Sequence, residues 1–136
     1  MTRKTSFKTM DYRIYGNFLK VADNFIKAAE LAFEFEYYNA SGVLAIHAAI
    51  ALADSITIKK SSKKSSGDNH LDVLPILVDV TPYNKNKAKA LDSLKKLIEH
   101  KNFVSYSGDI YGKADVEKLL KYFNRFRLWA DFILNE

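Results

Sequence analysis

Residues 37–53, YYNASGVLAIHAAIALA, form a run of 17 residues without a formal charge, set between Glu36 and Asp54. From Val43 to Ala53 the run is apolar on every helical face except at His47. A helix that is apolar all round must be enclosed by protein or by lipid. A membrane span needs about 20 consecutive apolar residues, and Asn39, Ser41 and His47 interrupt this stretch. The expectation is a buried core helix from about Asn39 or Ser41 to Ile58, with no membrane contact. About four amphipathic helices are needed to wrap it.

The flanking segments supply those helices. Residues 12–35 repeat apolar side chains at helical spacing. Phe18, Ala22, Phe25, Ala29 and Ala32 make one stripe, with Leu19, Ile26 and Phe33 beside it. Residues 70–80, HLDVLPILVDV, read as a short apolar helix capped by Asp68 or Asn69, with Pro75 kinking it or lying in its first turn. Thr81-Pro82 has the form of a cap and a first helical position, and the next helix shows Ala88, Leu91, Leu94 and Ile98 on one face. After SYSGDIYG, a last helix carries Val116, Leu119, Phe123, Phe126, Ala130 and Ile133 at a period near 3.6, with Trp129 next to the stripe. The expected fold is an all-α up-and-down four-helix bundle with one additional short helix.

At 136 residues the chain fits one domain, 1–136, with a flexible stretch at residues 1–10. Its first residues are basic and polar with no apolar core after them, so no secretory signal is expected. There is no cysteine, which fits a reducing compartment and a cytoplasmic location. Residues 1–58 carry as many basic as acidic residues, so the whole net charge of +5 lies in residues 59–136. Much of it sits in KKSSKKSSGD, residues 59–68, expected to be a flexible basic loop. Its Lys59, Lys60, Lys63 and Lys64 are candidate phosphate or nucleic-acid contacts, or a solvated run. Lys118, Lys121, Arg125 and Arg127 can extend a basic groove or pair with Glu117 and Asp131, and pairing is the favoured reading. His47 reads as a core or interface histidine with a hydrogen-bonding neighbour, and His70 and His100 as helix-end residues. There is no His-x-x-x-His, no Glu-x-x-His and no Cys, and no phosphate-binding glycine loop or nucleophile elbow is present. No metal and no cofactor is expected.

The stretch FEYYNASGVLAIHAAIALADSI, residues 35–56, resembles the second helix of the HEPN family: an aromatic entry, an Asn-Ala pair, then a small-residue helix with a central His. The serine- and lysine-rich loop followed by His70, and LKKLIEHKNFVSYSG before a last amphipathic helix, extend the resemblance over residues 12–134. Active members of that family are metal-independent ribonucleases, with an Arg, a polar residue and a later His near the end of the penultimate long helix. In this sequence Lys101 stands in the Arg position, Asn102 in the polar position and Tyr106 in the His position. No Arg is followed by a His four to six residues later. RNA cleavage without metal needs a base and an acid. A phenol near pKa 10 is only about one part in a thousand ionised at neutral pH, and Lys lacks the bidentate guanidinium fork. Lys101, Asn102 and Tyr106 are therefore read as a degenerate site. The resemblance also implies a homodimer, which the eight tyrosines and nine phenylalanines suit. Two functions follow from it. The favoured one is a non-catalytic module binding RNA, a nucleotide or a protein such as a nucleotidyltransferase, in a toxin–antitoxin or defence pair. The other is a metal-independent endoribonuclease, with Lys101 holding phosphate and Tyr106 donating a proton.

Overall fold

The central helix forms because nothing in residues 38–61 opposes it: alanines and straight or branched aliphatics dominate, and no Pro or charged residue occurs before Asp54. In the computed structural model, which describes residues 6–66 and 69–136, this helix runs over Tyr38–Ser61. We label it α2. It is buried on all faces from Ala48 to Ile58. By length and composition it could cross a membrane, but 83% of its apolar window is buried inside the protein.

α1 (Tyr15–Glu34) follows a 3-10 turn at Tyr12–Ile14 and packs along α2. It buries Ala22, Ile26 and Ala29, while Leu19 and Phe25 are half-buried against the core. The α1–α2 turn needs a left-handed residue, supplied by Glu36 at φ 64°. Ser41 then donates its hydroxyl to the Ala29 carbonyl at 2.7 Å, which pins the two helices together.

α3 (Val73–Val80) has Pro75 in its first turn, where the missing N–H costs nothing. A 3-10 turn at His70–Asp72 leads into it, and Asn69 caps that turn by accepting from the Leu71 N–H at 3.1 Å. The alternative cap, Asp68, lies outside the described residues. α4 (Lys87–Glu99), a one-turn α5 (Lys101–Ser105) and α6 (Lys113–Leu134) complete the bundle. α4 and α6 pack on each other and on α2. The α6 stripe Val116, Leu119, Phe123, Phe126, Ala130 and Ile133 is fully buried, with Trp129 beside it.

Four features differ from the sequence reading. The segment 59–68 is not a loop throughout: α2 continues to Ser61, turns at left-handed Ser62, and β2 (Lys63–Ser65) follows. β2 pairs antiparallel with β1 (Phe7–Thr9), so part of the stretch 1–10 is an ordered strand. Thr81 does not start α4. Its hydroxyl donates to the Leu77 carbonyl at 2.6 Å and closes α3, and α4 begins only at Lys87. The buried face of α4 is Ala90, Ser93, Leu94, Leu97 and Ile98, which leaves Ala88 exposed.

Candidate functional site

The residues 101–106 follow α4 after a bend at His100 and are placed by contacts from α2. Val104 is the buried anchor of α5. It can sit close because α2 has glycine opposite: a Cβ on Gly42 would lie 3.0 Å from Val104 Cγ2 and 3.2 Å from Leu119 Cδ1. Beyond α5, Asn39 holds the chain. Its Nδ2 donates to the Val104 carbonyl at 3.0 Å and the Asp109 carbonyl at 2.9 Å, and its Oδ1 accepts from the Tyr111 N–H at 2.9 Å. Ser107 Oγ lies 2.6 Å from the Phe103 carbonyl and 2.8 Å from Asp109 Oδ2, and Gly108 turns at φ 82°. Gly112 donates to Asp115 Oδ2 at 2.8 Å, which starts α6.

The three candidate positions, Lys101, Asn102 and Tyr106, end up in different settings. Lys101 is half-buried and Asn102 exposed, and both line a cleft of about 570 Å³ with Asn69, His70, Glu99 and Phe103. Tyr106 is 79% exposed, does not line that cleft, and its hydroxyl has no hydrogen-bond partner among the described residues. Lys101 is also near enough to His47 for its charge to act there. Burial first, and then Lys101, lowers the His47 pKa from its ordinary 6.5. His47 was expected to hydrogen-bond a neighbour. Instead its half-buried ring lies 5.7 Å from the Phe25 ring. His100 Nδ1 is 2.7 Å from the Tyr111 hydroxyl. Burial, with Asp109 and Asp115 adding, raises the Tyr111 pKa above its ordinary 10. The cleft therefore joins His70 to Lys101 and Asn102 across some 30 positions of sequence, a meeting that no local spacing signals. The structural role of Asn39 was equally hidden, because at the head of a helix an Asn reads first as a cap.

The four lysines of the basic segment are committed to separate internal partners. Lys59 donates to the Leu134 carbonyl and lies over the Tyr15 ring at 5.0 Å. Lys60 pairs with Glu136 at 3.3 Å, and Lys63 sits over the Phe7 ring at 4.6 Å. Lys64 is 3.7 Å from the buried carboxylate of Asp54. Burial pushes that carboxyl up from 3.8 to about 6, with Lys64 and Lys8 acting against the rise. On α6 the expected pairing of Arg125 and Arg127 with Glu117 and Asp131 does not occur. Arg127 contacts Asn124 at 3.3 Å and lies over the Phe123 ring, and Arg125 has no ion pair among the described residues. The described residues contain no group of three His, Cys, Asp or Glu able to hold a metal.

An all-α bundle wrapped on one apolar helix, with a polar, aromatic patch at the end of its penultimate long helix, defines the class of this protein. The HEPN domain family model matches residues 15–133, and the chain belongs to the HEPN family. Among solved structures it is similar to the crystal structure of TT1696 from Thermus thermophilus. The TM-score is 0.68 at 14% identity, over 90% of this chain and 97% of that one, a likeness of fold. No curated protein matches the chain.

Proposed function

We propose that this HEPN-type module is a non-catalytic homodimer that binds a protein partner, such as a nucleotidyltransferase of a toxin–antitoxin or defence pair, or else RNA or a nucleotide. The observation that carries this reading is the setting of Tyr106. Where the family's ribonucleases need an imidazole, this chain has a solvent-exposed phenol with no hydrogen-bond partner among the described residues. Exposed Phe103, Tyr106 and Ile110 sit on one short stretch beside Lys101. Exposed aromatic side chains are enriched in protein-contact surfaces. The test is cleavage of labelled single-stranded RNA in EDTA by wild type, Lys101→Ala and Tyr106→Phe. No cleavage by any of the three is expected, together with twice the chain mass by light scattering at micromolar concentration. A monomeric mass overturns the homodimer.

A second reading has one specific support: His70 lines the cleft of Lys101 and Asn102. An imidazole there can take the proton of the 2′-hydroxyl while the Lys101 ammonium holds phosphate and gives a proton to the leaving oxygen, an acid–base set for a metal-independent endoribonuclease. In that case wild type cleaves, His70→Ala and Lys101→Ala lose cleavage, and Tyr106→Phe keeps it.

A further inference from the structure

A second cleft, of about 540 Å³, lies between the start of α4 and the far half of α6. Its inner wall is apolar and belongs to the core: Ala90 is buried and Trp129 is only 3% exposed. Its outer wall is apolar too, although it faces water, with Leu128 75% and Phe132 58% exposed. Around these stand Lys85, Lys89 and Arg125, and no Asp or Glu lines the cleft.

Three other cations of α4 and α6 are occupied, whereas Lys95, Lys113, Lys118 and Lys121 have no ion pair among the described residues. Lys96 pairs with Asp92 at 3.0 Å and lies over Tyr122. Lys87 donates to the carbonyls of Val78 and Thr81. Arg127 lies over Phe123. Lys85, Lys89 and Arg125 have no ion pair among the described residues, yet they share one cleft. Like charges gathered on one concavity repel each other and raise the local concentration of anions. The cleft's size falls within the range of about 300–1,000 Å³ of small-molecule sites, which are mostly apolar with a few polar groups that fix orientation.

We propose that the α4–α6 cleft is a binding site for a small planar anion. Its flat apolar body covers Leu128 and Phe132 and abuts the edge of Trp129, and its acidic group lies between Lys89 and Arg125, with Lys85 at the rim. This site is separate from the Lys101 cleft, with which it shares no lining residue, and it does not depend on the function proposed above. A nucleoside monophosphate and an aromatic sulfonate or carboxylate share the required chemistry.

Trp129 is the sole tryptophan of the chain, so its indole N–H is a single, site-specific NMR reporter. Its Nε1 is buried and has no hydrogen-bond partner among the described residues. The experiment titrates 15N-labelled full-length protein with AMP and, separately, with naphthalene-2-sulfonate. Adenosine and naphthalene-2-methanol are the neutral counterparts. A saturable shift of the indole peak is expected with at least one anion, at a Kd no weaker than about 1 mM. Its neutral counterpart should bind at least about tenfold more weakly, and K89A/R125A should weaken the anion by at least about tenfold. Both positions are exposed, so the double variant should keep the wild-type circular dichroism spectrum. Which anion binds distinguishes the two ligand sources. The proposal fails if neither anion moves the peak saturably, if the neutral compounds bind as well, or if the folded double variant binds unchanged.

Discussion

The middle of α2 and the stretch 101–112 are held by opposite means. From Ala48 to Ile58 every residue of α2 is buried, and its position follows from removing apolar surface from water. In residues 101–112 only Val104 is buried, and a few hydrogen bonds hold the rest in place, three of them made by the single side chain of Asn39. The first region is fixed redundantly, by many weak contacts. The second is fixed sparsely, by a few directional ones. The sparse region faces solvent, so a substitution at one of its exposed positions costs the fold little.

The largest expected effect falls on the redundant side. Ile46→Ala, at a fully buried position, should lower unfolding stability by about 3 kcal/mol in urea denaturation. A loss under about 1 kcal/mol would mean that the core around α2 collapses into the space. Asp54 breaks the pattern from within α2. Its carboxyl has a folded pKa raised from 3.8 to about 6, so folding takes up a proton between those values. That stabilising contribution is full below pH 3.8 and is lost as pH rises through about 6. It amounts to about 3 kcal/mol at most. Asp54→Asn should flatten stability between about pH 4 and pH 7, and an unchanged slope would place the titrating group elsewhere.

On the sparse side, Asn39→Ala should cost about 2 kcal/mol, because it strands two carbonyls and one N–H. It should also speed amide exchange at Tyr111 well before any amide in the middle of α2. Uniform acceleration across both regions would erase the distinction between them. The smallest effect belongs to Tyr111→Phe, which removes the 2.7 Å contact to His100 and should cost about 1 kcal/mol or less.

The same contrast explains what could be read from the residues alone. The uncharged run in α2 and the 3.6 period of α6 dictated burial, and both helices lie where that pattern put them. Burial is periodic, so it leaves a trace in sequence. The boundaries that shifted were decided by single side chains with two possible jobs. Thr81 can start one helix or finish another, and its bond to Leu77 settles which. Lys63 and Lys64 look like a solvated run until Phe7 and Asp54 arrive from elsewhere in the chain. Of the candidate site, Lys101 and Asn102 share a cleft and Tyr106 stands apart from it. His70, which lines the same cleft, comes from a separate element.

A helix that is apolar on every side has no preferred facing: turned about its axis, it would bury nearly the same surface. The angular setting of α2 must therefore come from close fits such as Gly42 against Val104 and from its polar side chains. Asn39 and Ser41 act near one end, and Asp54 and Lys59 near the other. They work like keys on a smooth shaft. Removing the keys at either end should leave helix content and buried area almost intact while allowing more than one rotational setting. The consequence is a bundle whose uniqueness, as distinct from its stability, resides in a few close fits and polar contacts.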